Sequence, residues 1–83
     1  MRISMGIELP RKDEMATVVA NIKEAFATLG LAMGEFRYPS NGGLMMAVEP
    51  MREKWIDLES ELFAKGIIPM PVGAGTIAFA VRH

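Results

Sequence analysis

The segment Met5–Pro10 (Met-Gly-Ile-Glu-Leu-Pro) resembles Met46–Pro50 (Met-Ala-Val-Glu-Pro), and each precedes a stretch of helical periodicity. The two stretches also end alike, at Phe26–Leu31 (Phe-Ala-Thr-Leu-Gly-Leu) and Phe63–Ile67 (Phe-Ala-Lys-Gly-Ile). The chain therefore looks like two β-α-β halves. Two intertwined halves with right-handed crossovers predict a ferredoxin-like β-α-β-β-α-β sandwich. Its four-stranded antiparallel sheet would have the order 4-1-3-2, with both helices on one face.

The periodicity of apolar residues places the elements. Strict alternation over 2–9 predicts a first strand that turns Ile3, Met5, Ile7 and Leu9 toward the core. Steps of three and four residues predict a helix from Met15 to Leu29, and Gly30 supplies its left-handed end. A second strand over 31–38 is out of phase around Gly34, which favours a bulge there.

The second half of the chain has similar signals. Asn41-Gly42 predicts a hairpin that leads into a third strand over 44–49. Pro50 suits the first turn of a second helix, which would end at Gly66. Residues 76–82 alternate cleanly and predict the last strand, whereas 67–71 contains two prolines and would be at best an edge segment.

The composition excludes several classes of protein. The 83 residues suffice for one domain spanning 1–83, and the net charge of −1 comes from dispersed residues, so we expect no nucleic-acid partner and no membrane partner. The chain has no cysteine and one histidine, so we expect no metal site and no cofactor. It also has neither a signal-type N-terminus nor an apolar run of the ~20 residues that span a membrane, and the expected location is the cytoplasm.

The sheet face away from the helices is the most informative predicted surface. Its centre would hold small, uncharged residues: Ser4, Gly6, Met45, Ala47, Ala78 and Ala80. Arg2 and Arg82 would lie at one end of this face, and Glu8 and Glu49 at the other. It lacks the aromatic residues on which RNA bases stack. A face so poor in polar groups predicts a two-fold homodimer, although an ordinary alanine-rich open face is the alternative.

Two groups of polar residues are candidate ligand sites. Glu8 and Glu49 would end neighbouring parallel strands, where paired carboxylates can bind a cation or share a proton, unless they are solvated rim residues. Around the hairpin, an anionic small molecule could meet Arg37, Tyr38, Ser40 and Asn41, but a solvated turn explains them equally well.

These features favour a non-enzymatic module that binds a small ligand or a protein and acts as a homodimer or higher oligomer through its open sheet face. No catalytic set is evident. The first alternative is a small enzyme, whose topology resembles that of the dimeric α/β-barrel proteins and which would use Glu8 or Glu49 in acid–base chemistry. The second is a subunit or inhibitor that docks on a larger protein.

Overall fold

The computed structural model describes residues 6–40, 42–47, 52–73 and 75–82. Within these residues the chain forms two helices, five strands and one short 3₁₀ helix. In chain order the elements are β1 (Ile7–Glu8), the 3₁₀ helix (Lys12–Glu14), α1 (Met15–Leu29), β2 (Phe36–Arg37), β3 (Met45–Ala47), α2 (Arg52–Ala64), β4 (Ile67–Gly73) and β5 (Thr76–Arg82). The predicted α+β class, with two helices and an antiparallel sheet, is confirmed.

Both helices end where the sequence predicts. Gly30 follows α1 with φ 69°, and Gly66 follows α2 with φ 76°, a conformation that costs glycine nothing and strains other residues. The backbone N–H of Gly30 donates to the Ala27 carbonyl, and that of Gly66 donates to the Phe63 carbonyl. At the start of the first helical segment, the N–H of Arg11 donates to Glu14 Oε2 over 2.8 Å.

One apolar stripe of each helix packs on the same side of the sheet. The buried residues form one cluster: Val18, Ile22, Ala25 and Phe26 of α1, Leu58 and Leu62 of α2, Leu44, Met46 of β3, Ile67 of β4, and Ile77, Phe79 and Val81 of β5. Because the buried residues of both helices belong to one cluster with Ile77, Phe79 and Val81, the two helices pack on the same face of the sheet. Trp55 is only partly buried at the margin of this cluster.

The last strand, β5, lies at the centre of the sheet. Its residue Val81 pairs with Ile67 of β4 and with Glu8 of β1, and Ala78 pairs with Met70 of β4 and with Met45 of β3. A strand has two edges, so β4 occupies one edge of β5, while β1 and β3 share the other. All of these pairings are antiparallel.

The predicted strand order 4-1-3-2 is therefore wrong, since the path through the sheet is β1-β5-β3-β2 with β4 on β5. The prediction puts the first strand between the third and last strands and makes 67–71 at best an edge segment. The short connection between β4 and β5 explains the difference, because a local hairpin closes a smaller loop than a distant pairing. This hairpin places β4 beside one edge of β5, and β3 pairs with the opposite edge of β5.

The prolines of β4 fit this arrangement because they face the free edge. The Arg82 N–H donates to the Gly66 carbonyl, so even-numbered residues of β4 direct their backbone groups toward β5. Pro69 and Pro71 then direct their backbone away from β5, where no N–H is needed for the ladder. Their absent donors leave this edge of the sheet poorly suited to pair with another strand.

Two predicted strands are shorter in the structure. Of the predicted strand 31–38, Phe36–Arg37 alone has strand pairing, with Phe36 opposite Met46. Gly34 lies so close to the carbonyl group of Ala47 that a Cβ there would overlap it. Of the first predicted strand, Ile7–Glu8 is a strand, and residues 1–5 lie outside the described part of the chain.

An ion pair also links α1 to the turn that follows α2, and its contribution to stability should depend on pH. Lys65 Nζ donates to Glu24 Oε1 over 2.6 Å, and this hydrogen bond, together with the lysine charge, lowers the pKa of Glu24 below its ordinary 4.5. A carboxyl group whose pKa is lower in the folded state contributes stability above the unfolded-state pKa and loses it as pH falls through the folded-state pKa.

We therefore expect Lys65→Met and Glu24→Gln to lower the melting temperature slightly at neutral pH and low salt. The effect should be small because the Glu24 side chain is 65% exposed and well screened. Thermal melts recorded well below the carboxyl pKa should give no difference from wild type. An equal difference at both pH values would contradict the ion-pair explanation.

Candidate functional site

The sheet face opposite the helices is the candidate site, and we call it the open face. Directly opposed residues of an antiparallel pair project to the same side, so the pairings of Ala78 place Met45 and Met70 beside it. Ala78 alternates with buried Ile77 and Phe79 and thus projects away from the core. By the same register the open face comprises Ile7, Arg37, Met45, Ala47, Ile68, Met70, Thr76, Ala78, Ala80 and Arg82.

This face is apolar and partly accessible. Ile7 is 46% exposed and Met70 is 37% exposed, and between them the residues from β3, β4 and β5 are mostly half-buried. The charged residues among its described strand positions are Arg37 and Arg82, both at its margin and both exposed. A contiguous apolar surface with charge only at its border is typical of a binding surface.

The predicted interface residues fall into three groups. Met45, Ala47, Ala78 and Arg82 lie on the open face and are accessible there. Ala80 also lies on this face but is only 2% exposed, because its own chain covers it. Gly6 is half-buried just before β1 with φ 67°, while Arg2 and Ser4 lie outside the described residues.

The prediction that Glu8 lies on the open face is wrong. Glu8 is opposite Val81, whose side chain is in the core, and Ile7 is opposite Arg82. The side chain of Glu8 therefore lies on the helix side of the sheet, and Ile7 takes the open side. A shift of one residue exchanges the two faces of a strand, and the left-handed Gly6 interrupts the alternation assumed for 2–9.

The paired-carboxylate hypothesis loses its geometric basis. Glu49 lies outside the described residues, and Glu8 is on the opposite face from the one where the pair was expected. The predicted basic and acidic ends of the open face change accordingly. Arg82 remains at one end, but Glu8 does not supply the other.

A shallow depression of about 160 Å³ lies at one side of the open face. It is lined by Leu9, Pro39, Gly42, Gly43, Leu44, Met45 and Ala78, none of which has an ionisable side chain. Leu9, predicted to be in the core, is 50% exposed and lies against the hairpin glycines. Small-molecule sites typically have volumes of ~300–1,000 Å³, so this depression suits one apolar side chain better than a substrate.

Of the four hairpin residues predicted to hold an anion, the structure describes three. Arg37 lies on the open face opposite Met45, Tyr38 is 60% exposed, and Ser40 is exposed. Asn41 lies outside the described residues. The hairpin itself is present, with a turn closed by the Gly42 N–H donating to the Pro39 carbonyl over 3.0 Å.

Sequence reasoning missed the contribution of β4 to this surface. Ile68 and Met70 lie on the open face next to Ala80 and Ala78. The two prolines predict at best an edge segment, and among the described strands β4 pairs with β5 alone. The usable signal was their spacing, because prolines two residues apart point to the same edge and leave the residues between them free to pair.

Further findings limit the possible classes of site. Among the described residues, no three His, Cys, Asp or Glu side chains are grouped closely enough to hold a metal ion. None of the helices in the described ranges is both long and apolar enough to cross a membrane. No protein-family model, characterised protein or solved structure matches the chain.

Proposed function

We propose that this domain is a non-enzymatic interaction module that self-associates through its open face. The observation that carries the proposal is the exposure of Ile7 and Met70 on an apolar sheet surface whose described charged residues, Arg37 and Arg82, lie at its margin. Burying apolar surface contributes about 25 cal/mol of favourable free energy per Å². This contribution is the main favourable term in protein association. A domain this small buries a smaller fraction of its surface on folding than a large one, so burial in an interface adds appreciably to its stability.

Packing through the face is favoured over pairing through an edge. Pro69 and Pro71 lie in β4 and have no backbone N–H. The free edge of β4 therefore offers two fewer hydrogen-bond donors to an approaching strand. Pairing of another strand with this edge would therefore be weak. The open face, by contrast, is accessible to a flat or convex apolar surface of a partner. The self-associated form in this proposal is a homodimer or a higher oligomer.

The alternatives have less support from the geometry. The depression beside Leu9 has about half the volume at which ligand pockets begin and is lined by apolar groups. Acid–base catalysis by Glu8 and Glu49 on a common face conflicts with the position of Glu8. Docking on a larger, different protein would use the same open face and is separated from self-association by the experiment below.

Light scattering over a concentration series tests the proposal with a matched pair of substitutions. Wild type should exceed the monomer mass in the micromolar range, and Ala78→Glu should remain monomeric because it places a charge at the centre of the open face. Ala20→Glu, at an exposed position of α1, should behave as wild type. Met70→Glu provides a second open-face variant at a more exposed position, in case Ala78→Glu unfolds.

A monomeric wild type at high micromolar concentration would refute self-association. Capture of a different protein by the open face would then be the remaining interaction hypothesis. Ala80→Glu is unsuitable for this test. Its side chain would be introduced at a position that is 2% exposed, so loss of folding would be confused with loss of association.

A further inference from the structure

The outer surface of α2 is a second apolar surface that the chain does not use in its own core. Ile56 is 72% exposed and Phe63 is 45% exposed, at positions seven residues apart that lie on one side of a helix. Ser60, between them on the same side, is also exposed. The buried stripe of α2, Leu58 and Leu62, faces the opposite way.

Among the side chains of α2 that the structure describes, acidic ones border this stripe. Glu53 and Asp57 are exposed on one side of it, and Glu59 is half-buried on the other. The open face has the opposite character, because its described charged residues are Arg37 and Arg82. The chain therefore presents an apolar surface bordered by carboxylates on its helix side and an apolar surface bordered by arginines on its sheet side.

A symmetric dimer through two open faces would not use this complementarity. Among the described strand positions the open face carries no carboxylate to pair with the partner's arginines, and such a dimer would leave Ile56 and Phe63 in water. An α2 stripe on an open face would join opposite charges around an apolar centre, which favours correct orientation and rapid association. The small side chains of Ala47 and Ala78 would allow a helix to approach the sheet closely.

We infer that the α2 stripe of one copy packs on the open face of the next copy, so that the chain associates head to tail. The inference rests on the proposed self-association and specifies its geometry. Each sheet would then be covered by helices on both faces, an arrangement that buries both of its apolar surfaces. Because the two surfaces lie on opposite sides of the molecule, a dimer leaves one of each unused and growth continues with concentration.

A mixing experiment distinguishes head-to-tail from symmetric association. Ile56→Glu disables the helix surface and Ala78→Glu disables the sheet surface, and each variant alone should associate about tenfold more weakly than wild type or worse. An equimolar mixture should form a one-to-one heterodimer that does not grow, because one intact surface of each kind remains. Sedimentation velocity would measure this, with Ala20→Glu as the control that associates as wild type. Circular dichroism would verify that each variant is folded.

Each outcome has a defined meaning. Ile56→Glu that associates like wild type would overturn the head-to-tail inference and leave self-association through the open face intact. A mixture of folded variants that stays monomeric would also overturn it. A monomeric wild type would refute the proposed self-association itself. Ala78→Glu added to wild type in substoichiometric amounts should shorten the assemblies, since it can occupy only one end.

Discussion

Replacing Phe79 by alanine should reduce the stability of the folded chain by ~3–5 kcal/mol. Phe79 is completely buried in β5, the strand that pairs with three others. Its ring lies 6.5 Å from that of Phe36 at an interplanar angle of 53°, and its N–H donates to the Leu44 carbonyl. Truncation would leave a cavity where the helices meet the sheet. A domain of this length has a total stability of only ~4–12 kcal/mol, so much of it would be lost.

Urea denaturation followed by circular dichroism would measure this loss. Phe79→Leu retains most of the buried volume and should cost less than ~1.5 kcal/mol. Val72→Ala, on the neighbouring strand but 50% exposed, should change stability by less than ~0.5 kcal/mol. Midpoints that coincide for Phe79→Ala and Val72→Ala would mean that β5 is not the centre of the core.

Features that depend on local sequence could be predicted. The stripe over 15–29 and the glycines at 30 and 66 determine helix extent through contacts three and four residues apart and through one backbone conformation. Both helices end accordingly. The last strand, Thr76–Arg82, was predicted with the same boundaries, because its alternation is uninterrupted.

Features that depend on pairing between segments distant in the sequence could not be predicted. Nothing in the periodicity of 2–9 distinguishes a strand inserted between the third and last strands from one that pairs with the end of β5 and leaves β3 beside β5. The face of Glu8 depends on a register of one residue, which the left-handed Gly6 displaces. The similarity of the two halves of the sequence therefore led to a symmetric sheet that the chain does not form.

In the candidate site, too, the features set by local sequence could be predicted and those set by distant strand pairing could not. Alternation within β3 and β5 correctly placed Met45, Ala47 and Ala78 on the open face, because adjacent residues of one strand must take opposite sides. The contributions of Met70 and Ile7 required knowledge of which strands lie beside β5 and in which register.

Among the glycines whose surroundings the structure describes, Gly34 leaves the least space for a side chain. A Cβ there would overlap the carbonyl oxygen of Ala47 and lie 2.7 Å from its carbonyl carbon. Both atoms belong to the backbone of β3, which cannot yield by a change of rotamer. Gly34→Ala must therefore displace the end of β3 from the loop before β2, and we expect a loss at or above the upper end of the ~1–3 kcal/mol typical of overpacking.

Gly73→Ala is the matched control for Gly34→Ala, since a Cβ at Gly73 meets nothing within 4 Å and its φ is not in the left-handed region. It should be neutral or stabilising by up to ~1 kcal/mol, because alanine restricts the unfolded chain. Displacing β3 also moves Met45 and Ala47 on the open face, so Gly34→Ala should weaken self-association even where it remains folded. Equal melting temperatures for the two variants would show that the loop before β2 does not press against β3.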